Sequence, residues 1–317
     1  MFRLPKFKSF EVQEGKQKVV VVTELINYYL PQLFKKYNLK EKCTIKVTRN
    51  ADVFFEDYEK NDSEDSRFDM KKLLKKRKRS MPVRLCISGK VTADFAGMIR
   101  RQLGLSAKEV FVSSLPYDIN FADAINIPSE LKYALRKPVK TVKIPKGEIM
   151  DYLRNEDILL SFPYQSISPF IDLIYEAADD RSVTSISITL YRLAASSKLA
   201  AALAYAADKG KEVLCLLELR ARFDEQNNID YSEVLEEAGC SVIYGLPGLK
   251  VHSKLMLIKK RSQDGRLSYI TQLGTGNYNE ATSEQYTDIS VITSDPLVGK
   301  DADEVFKALA MGEVPPD

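Results

Sequence analysis

The alternation of strand-like and helix-like runs between residues 183 and 245 constrains the fold more than any other feature. "VTSISITLYRL" (183–193), "EVLCLLEL" (212–219) and "SVIYG" (241–245) have the β-branched, apolar character of strands. Between them, "KLAAALAYAADKG" (198–210) and "DYSEVLEEAG" (230–239) read as helices, the first with an Ala-rich packing face and a Gly stop. This βαβαβ order predicts parallel strands with crossover helices. "EVLCLLEL" is apolar almost throughout, as a strand covered on both faces must be. Upstream, "SPFIDLIYEAADD" (168–180) is an amphipathic helix. Downstream, "HSKLMLIKK", "RLSYITQLGTG" and "YTDISVIT" supply three more strands with no helix between them, and a last helix covers about 297–311. The expected class is therefore α/β, with a mixed, largely parallel sheet flanked by helices over residues 146–317.

Residues 1–145 have a different texture, that of an α+β domain. "CTIKVTRNADVFF" (43–55) and "VRLCISGK" (83–90) read as strands. "TELINYYLPQLFKKY" (23–37) reads as a helix that Pro31 should kink or divide. "TADFAGMIRRQLG" (92–104) has a Thr cap and a Gly stop. The Pro- and Lys-rich "LRKPVKTVKIPKGE" (135–148) reads as a connection, which places a boundary near 145. A length of 317 residues suits two domains.

Net charge is only +3, so no global field calls for nucleic acid or a membrane, and any anion site must come from local clustering. Seven of the nine residues 71–79 are basic; a solvated helix end is favoured there over a polyanion patch. Cys43, Cys86, Cys215 and Cys240 form no CxxC pair and read as free thiols, three of them in apolar runs, in a reducing compartment; the spacing argues against structural zinc. "MFRLPKFKSF" lacks the apolar core of a signal peptide, and no apolar stretch reaches the roughly 18 residues of a membrane span. A cytoplasmic location is expected, with a peripheral position on the inner membrane face as its variant.

His252 is the only histidine in the chain. A lone histidine is more often a surface or satisfied core residue than a catalyst; its company decides the matter. In open α/β sheets, sites gather at the C-terminal ends of parallel strands. Arg192 lies just after the first such strand, and Arg220 and Arg222 just after the second. His252 and Lys254, two apart on another strand, share a face. In "GTGNYN" (274–279) the glycines permit a tight turn with exposed amides, and Asn277 can donate through its own amide. Singly, Arg192 or Arg222 reads as a salt-bridge partner, Lys254 as solvated, and Gly274 and Gly276 as turn residues. Together they form a cationic cup around one nucleophile. The arginine fork suits phosphate oxygens and lysine adds a point charge. A neutral imidazole, with an ordinary pKa of about 6.5, can attack phosphorus near pH 7 and become phosphohistidine.

"HSK" followed by "GTGN" resembles the HxK…GSxN signature of the phospholipase D superfamily, which uses a strand-borne histidine as covalent nucleophile. The Asp that this signature carries five residues after the Lys is here Lys259, which argues for a substrate more anionic than a phosphodiester. "FPYQSISPFIDLI", "TLYR", "LELRARFDEQNNI", "GLKVHSKL", "LGTGNYNE" and "YTDISVITSDP" closely resemble the polyphosphate kinases of the first, phosphohistidine-forming family. "VTRNADV" (47–53) resembles a segment of that family's head domain, so the resemblance covers nearly the whole chain.

The resemblance implies a head domain at 1–145, a first phospholipase-D-like catalytic domain at 146–317, and reversible transfer of the ATP terminal phosphate to inorganic polyphosphate. His252 matches the phosphorylated histidine. Arg192 and Arg222 match residues assigned to a Mg²⁺ site, which they would serve through phosphate oxygens because guanidinium has no lone pair. Tyr286 matches a nucleotide-contacting tyrosine, its bland alternative being a strand-edge aromatic. Lys254 and Asn277 would stabilise the transferred phosphoryl group. ATP, ADP and polyphosphate are the implied partners; a homo-oligomer is expected, and nucleic acid is not. The family also has an N-terminal domain and a second phospholipase-D-like domain with another essential histidine. With one histidine present, both are expected to be missing, Met1 and the final Pro-Pro-Asp to be cut points, and the chain alone to be inactive. Glu218, Asp224 and Asp288 all remain open as the group that orients the imidazole. The alternative is a phospholipase-D-like phosphodiesterase or nuclease completed by dimerisation; a third reading is a non-catalytic polyanion-binding module built on 71–79.

Overall fold

The computed structural model describes residues 7–13, 16–50, 70–72, 74–75, 79–115, 117, 122, 125, 127–134, 147–194, 196–218, 225–246 and 249–315. The chain divides into two compact units, Met1–Lys60 with Lys72–Leu135, and Asn61–Lys71 with Arg136–Asp317.

The first unit opens with an antiparallel hairpin, β1 (Phe7–Gln13) and β2 (Lys16–Val21), followed by α1 (Val22–Leu33). Pro31 does not divide α1; the helix simply ends two residues later. A three-stranded sheet has the order β3 (Thr44–Arg49), β4 (Pro82–Ser88), β5 (Val110–Ser113). β3 and β4 are antiparallel, whereas β4 and β5 are parallel across α2 (Ala93–Gln102). Thr92 caps α2 as expected, its hydroxyl accepting the Phe95 N–H at 3.3 Å. Leu85, Ile87 and Leu105 form the core of this unit. Residues 51–55 of the first strand-like run, and most of the linker at 135–148, lie outside the described residues.

The second unit is built on β6 (Ile158–Phe162), β7 (Val183–Leu190), β8 (Glu212–Leu217), β9 (Ser241–Tyr244), β10 (Leu255–Arg261), β11 (Leu267–Gly274) and β12 (Asp288–Thr293). Its helices are α3 (Ile149–Tyr152), α4 (Ser168–Asp179), α5 (Lys198–Asp208), α6 (Glu225–Glu237), α7 (Glu280–Ser283) and α8 (Pro296–Ala310). The seven strands pair in the order β6-β12-β11-β10-β7-β8-β9. The sheet is mixed, as expected. Five of its strands run one way, and β10 and β12 run the other. Only β7/β8 and β8/β9 are parallel ladders, so the sheet is largely parallel in strand direction but not in pairing. The reason is chain length. Residues 262–266 join β10 to β11, and a parallel return needs a dozen residues or more.

Alternation along β10 serves two buried faces. Leu255 and Leu257 pack on Ala302 and Phe306 of α8. Met256 and Ile258 point the other way, level with Ile188 and Ile186 of β7. All four β10 residues are buried, each contributing on the order of 1.5–3 kcal/mol. All four cysteines are free thiols, three of them buried. No helix among the described residues is long and apolar enough to cross a membrane.

This topology gathers one set of strand ends. The C-terminal ends of β6, β7, β8, β9 and β11 and the N-terminal ends of β10 and β12 share a single sheet edge.

Candidate active site

The ends of β7 and β8 are tied together before any functional side chain is placed. Leu190 and Leu217 are register partners, and the Glu218 N–H donates to the Leu190 carbonyl at 2.9 Å. Asn228, fully buried in α6, donates its amide to the carbonyls of Tyr191 at 2.7 Å and Glu218 at 3.0 Å. Asn227 does the same for Leu193 at 2.9 Å.

Residues 251–255 are then pinned against those ends. The Thr189 hydroxyl donates to the Ser253 carbonyl at 2.8 Å and accepts the Leu255 N–H at 3.1 Å. Glu218, 2% exposed, accepts the Val251 N–H at 3.1 Å. His252 consequently leaves the sheet edge with its ring exposed on one side and Tyr191 on the other. The two rings meet edge to face, 4.7 Å between centroids and 89° between planes.

Three cations surround the same tyrosine. The Lys250 ammonium is 5.2 Å from the Tyr191 centroid, the Lys254 ammonium 5.3 Å and the Arg192 guanidinium 5.5 Å, all within cation–π range. Lys254 is only 6% exposed, and its ammonium donates to the His252 carbonyl.

The end of β11 closes the other side. The Gly274 N–H donates to the Lys254 carbonyl and the Thr275 N–H to the Ile289 carbonyl, both at 3.0 Å. The amides of Gly274 and Thr275 are thus spent on the sheet, so the expectation of exposed amides in this turn fails at Gly274. Gly276 is there for room. A Cβ on it would lie 2.5 Å from a carboxylate oxygen of Asp288, whose other oxygen accepts the Thr275 hydroxyl at 2.8 Å. The side-chain oxygen of Asn277 is buried with no hydrogen-bond partner. Tyr278 anchors the loop by stacking on Phe170, 5.1 Å apart and 13° from parallel, and by donating to Gln272.

Burial lowers the His252 pKa first, and the charges of Lys254, Lys250 and Arg192 lower it further; Glu218 opposes them. The imidazole is therefore held in its neutral, nucleophilic form. Burial also lowers Lys254, against the pull of Asp288. The two carboxylates thus divide their work, Glu218 acting beside His252 and Asp288 beside Lys254.

Two domain models of one family match the chain: the polyphosphate kinase middle domain over residues 2–127 and the polyphosphate kinase C-terminal domain 1 over residues 148–314. The chain belongs to the polyphosphate kinase family. A polyphosphate kinase of Lactiplantibacillus plantarum is 35% identical over 325 residues, covering 98% of this chain and 45% of the relative. One of Staphylococcus haemolyticus is 35% identical, covering 99% and 44% respectively. The crystal structure of polyphosphate kinase from Porphyromonas gingivalis is similar with a TM-score of 0.73 at 26% identity, over 99% of this chain and 45% of that one. This member of the polyphosphate kinase family spans about half the length of the curated relatives it matches.

Of the residues singled out in the sequence, His252, Lys254 and Arg192 come together around Tyr191. Asn277 and Tyr286 reach the same edge, Tyr286 being 61% exposed. Arg222 lies outside the described residues, as do Arg220 and Asp224. Lys259 requires a correction. It sits seven residues along from His252, on the order of 20 Å in extended chain, and pairs with Asp303 of α8 at 3.0 Å. Its charge serves the sheet–helix interface and says nothing about the substrate. In the basic run, Lys71 pairs with Glu233 while Lys72, Lys75 and Arg79 are exposed, in keeping with a solvated surface; Leu73, Lys76, Arg77 and Lys78 lie outside the described residues.

Tyr191, Lys250, Thr189 and Asn228 went unmarked in the sequence. The spacing Lys250-x-His252-x-Lys254 was the available signal for Lys250, since alternate residues of an extended chain share a side. Magnesium does not fit direct ligation at Arg192, which has no lone pair to give. Among the described residues, no three His, Cys, Asp or Glu side chains cluster as a metal site.

Proposed function

We propose that this chain is the head domain (1–145) and first catalytic domain (146–317) of a polyphosphate kinase, and that His252 carries the phosphoryl group between nucleotide and polymer. One ring nitrogen attacks the terminal phosphorus of ATP. The N–P bond forms as the P–O bond to the β-phosphate breaks, and ADP departs with that oxygen. A terminal oxygen of polyphosphate then takes the phosphoryl group and the imidazole is restored. The reaction runs in both directions.

One observation carries this reading. An imidazole kept neutral by its surroundings stands among Arg192, Lys250 and Lys254, around the single ring of Tyr191. The cations that disfavour a proton on His252 favour a phosphoryl group on it. Arg192 grips phosphate oxygens by its fork, joined by Arg222 as the family resemblance implies. Lys254, buried under the loop, offsets the negative charge that gathers on phosphorus. Asn277 completes the set. Its buried amide oxygen is unpaired, and rotating the amide exchanges that oxygen for an NH₂ donor to an incoming phosphate. Tyr286 lies exposed where a nucleotide base can stack. Mg²⁺ belongs to the bound phosphates and water rather than to protein carboxylates. A cytoplasmic homo-oligomer fits the same reading.

No specific observation favours a phosphodiesterase or nuclease over this, although Lys259 no longer counts against one. The deciding experiment uses the full-length protein and ATP labelled on its last phosphate. Acid-labile label should appear on His252 and vanish in His252→Ala; a wild-type protein that stays unlabelled overturns the proposal.

A further inference from the structure

We propose that Tyr191 is the positioning residue of this site, its ring fixing the His252 imidazole and gathering Arg192, Lys250 and Lys254 around the atom that receives the phosphoryl group. The inference rests on the phosphohistidine reading and adds to it a residue that makes no contact with phosphorus itself.

Three observations meet at this side chain. Its backbone is locked, because Asn228 of α6 holds the Tyr191 carbonyl at 2.7 Å. Its ring is the common neighbour of the positive groups, among the described residues, that act on His252. Lys250, Lys254 and Arg192 stand at 5.2, 5.3 and 5.5 Å, and they are the three cations whose charge bears on the imidazole. Finally, it is the aromatic body of Tyr191 that meets the imidazole, edge to face at 4.7 Å.

Physically, the arrangement answers a problem of repulsion. Like charges around one imidazole repel one another, and Lys250 is exposed. Lys254 is held in addition by the His252 carbonyl. An aromatic face attracts each cation through its quadrupole without neutralising it. The ring thus helps to keep the charges assembled, and a phosphoryl group, more negative than a π-face, draws them toward itself. The edge-to-face contact meanwhile restricts the imidazole to one orientation, which is the condition for in-line attack.

Two variants and two readouts test this. In the full-length protein, Tyr191→Leu should cut the rate of His252 labelling by ATP about tenfold or more, with the KM for ATP changed by less than about threefold. Tyr191→Phe should restore labelling to within about threefold of wild type. In the chain itself, which contains a single histidine, the imidazole titration can be followed by NMR as one signal. Tyr191→Leu should move that titration upward toward 6.5 as the cations disperse, while Tyr191→Phe leaves it in place. The proposal is overturned if Tyr191→Leu labels at the wild-type rate, or if Tyr191→Phe fails as badly as Tyr191→Leu. It is also overturned if the Leu variant leaves the titration unmoved. Absence of label in the wild-type protein would count against the phosphohistidine reading alone; the titration would still judge Tyr191.

Discussion

At His252, among the described residues, the charges of Lys254, Lys250 and Arg192 outweigh that of Glu218. Together with burial, this places its pKa below the ordinary 6.5, and the consequence for activity follows by sign. In the proposed reaction the reactive form is neutral, so the loss of activity on acidification begins lower than for a free histidine. The rate of label transfer to His252 should therefore fall with acid at a pH below that at which a free imidazole takes up its proton. Lys250→Met should move the fall upward, because one of the charges that expels the proton is gone. A profile identical in wild type and Lys250→Met would refute the electrostatic account. At this scale the sequence was readable where spacing carries meaning. His252 and Lys254 share a side because extended chain alternates, and Arg192 stands where a parallel strand ends. Tyr191 was opaque because an aromatic at a strand end looks the same whether it fills a core or braces a catalytic ring. Lys259 misled for a related reason, since a motif position says nothing about which helix waits on that face.

Among the elements, α8 shows how closely helix and sheet approach. A Cβ on Gly299 would overlap the Cβ and ring stem of Tyr269 on β11, atoms that cannot swing aside. Gly299→Ala improves helix propensity by about 1 kcal/mol but overpacks this contact, which typically costs about 1–3 kcal/mol. The clash should win: the denaturation midpoint of the catalytic unit should fall, and a rise would show that the interface yields. The long elements were legible because their patterns repeat over several turns or alternations. The helices 168–179, 198–208 and 296–310 and the strands β7, β8 and β10 all stand within a few residues of their sequence expectations. What escaped was short or lacked period. The β1–β2 hairpin and β6 were not foreseen, and α6 begins at Glu225, five residues ahead of its apolar run, because its first turn serves strand ends through Asn227 and Asn228 rather than a core.

For the whole molecule, length sets the expectation. A chain that spans about half of its relatives, with one histidine in total, lacks any second imidazole to protonate or hold the leaving nucleotide. Steady-state polyphosphate synthesis by this chain alone should be absent in an assay where the full-length protein is active. Robust synthesis by the chain would show that one domain suffices. The chain divides after Leu135, ahead of the change in texture near 145, and the grouping of residues 61–71 with the later unit has no marker in composition.

The strand that begins three residues after His252, β10, is the fourth of seven, with three strands on either side of it. Fraying of a sheet starts at its margins, here β6 and β9, where only one neighbour supplies hydrogen bonds. His252 is therefore moored to the slowest-exchanging part of the fold, and warming should loosen the outer strands well before it disturbs the imidazole.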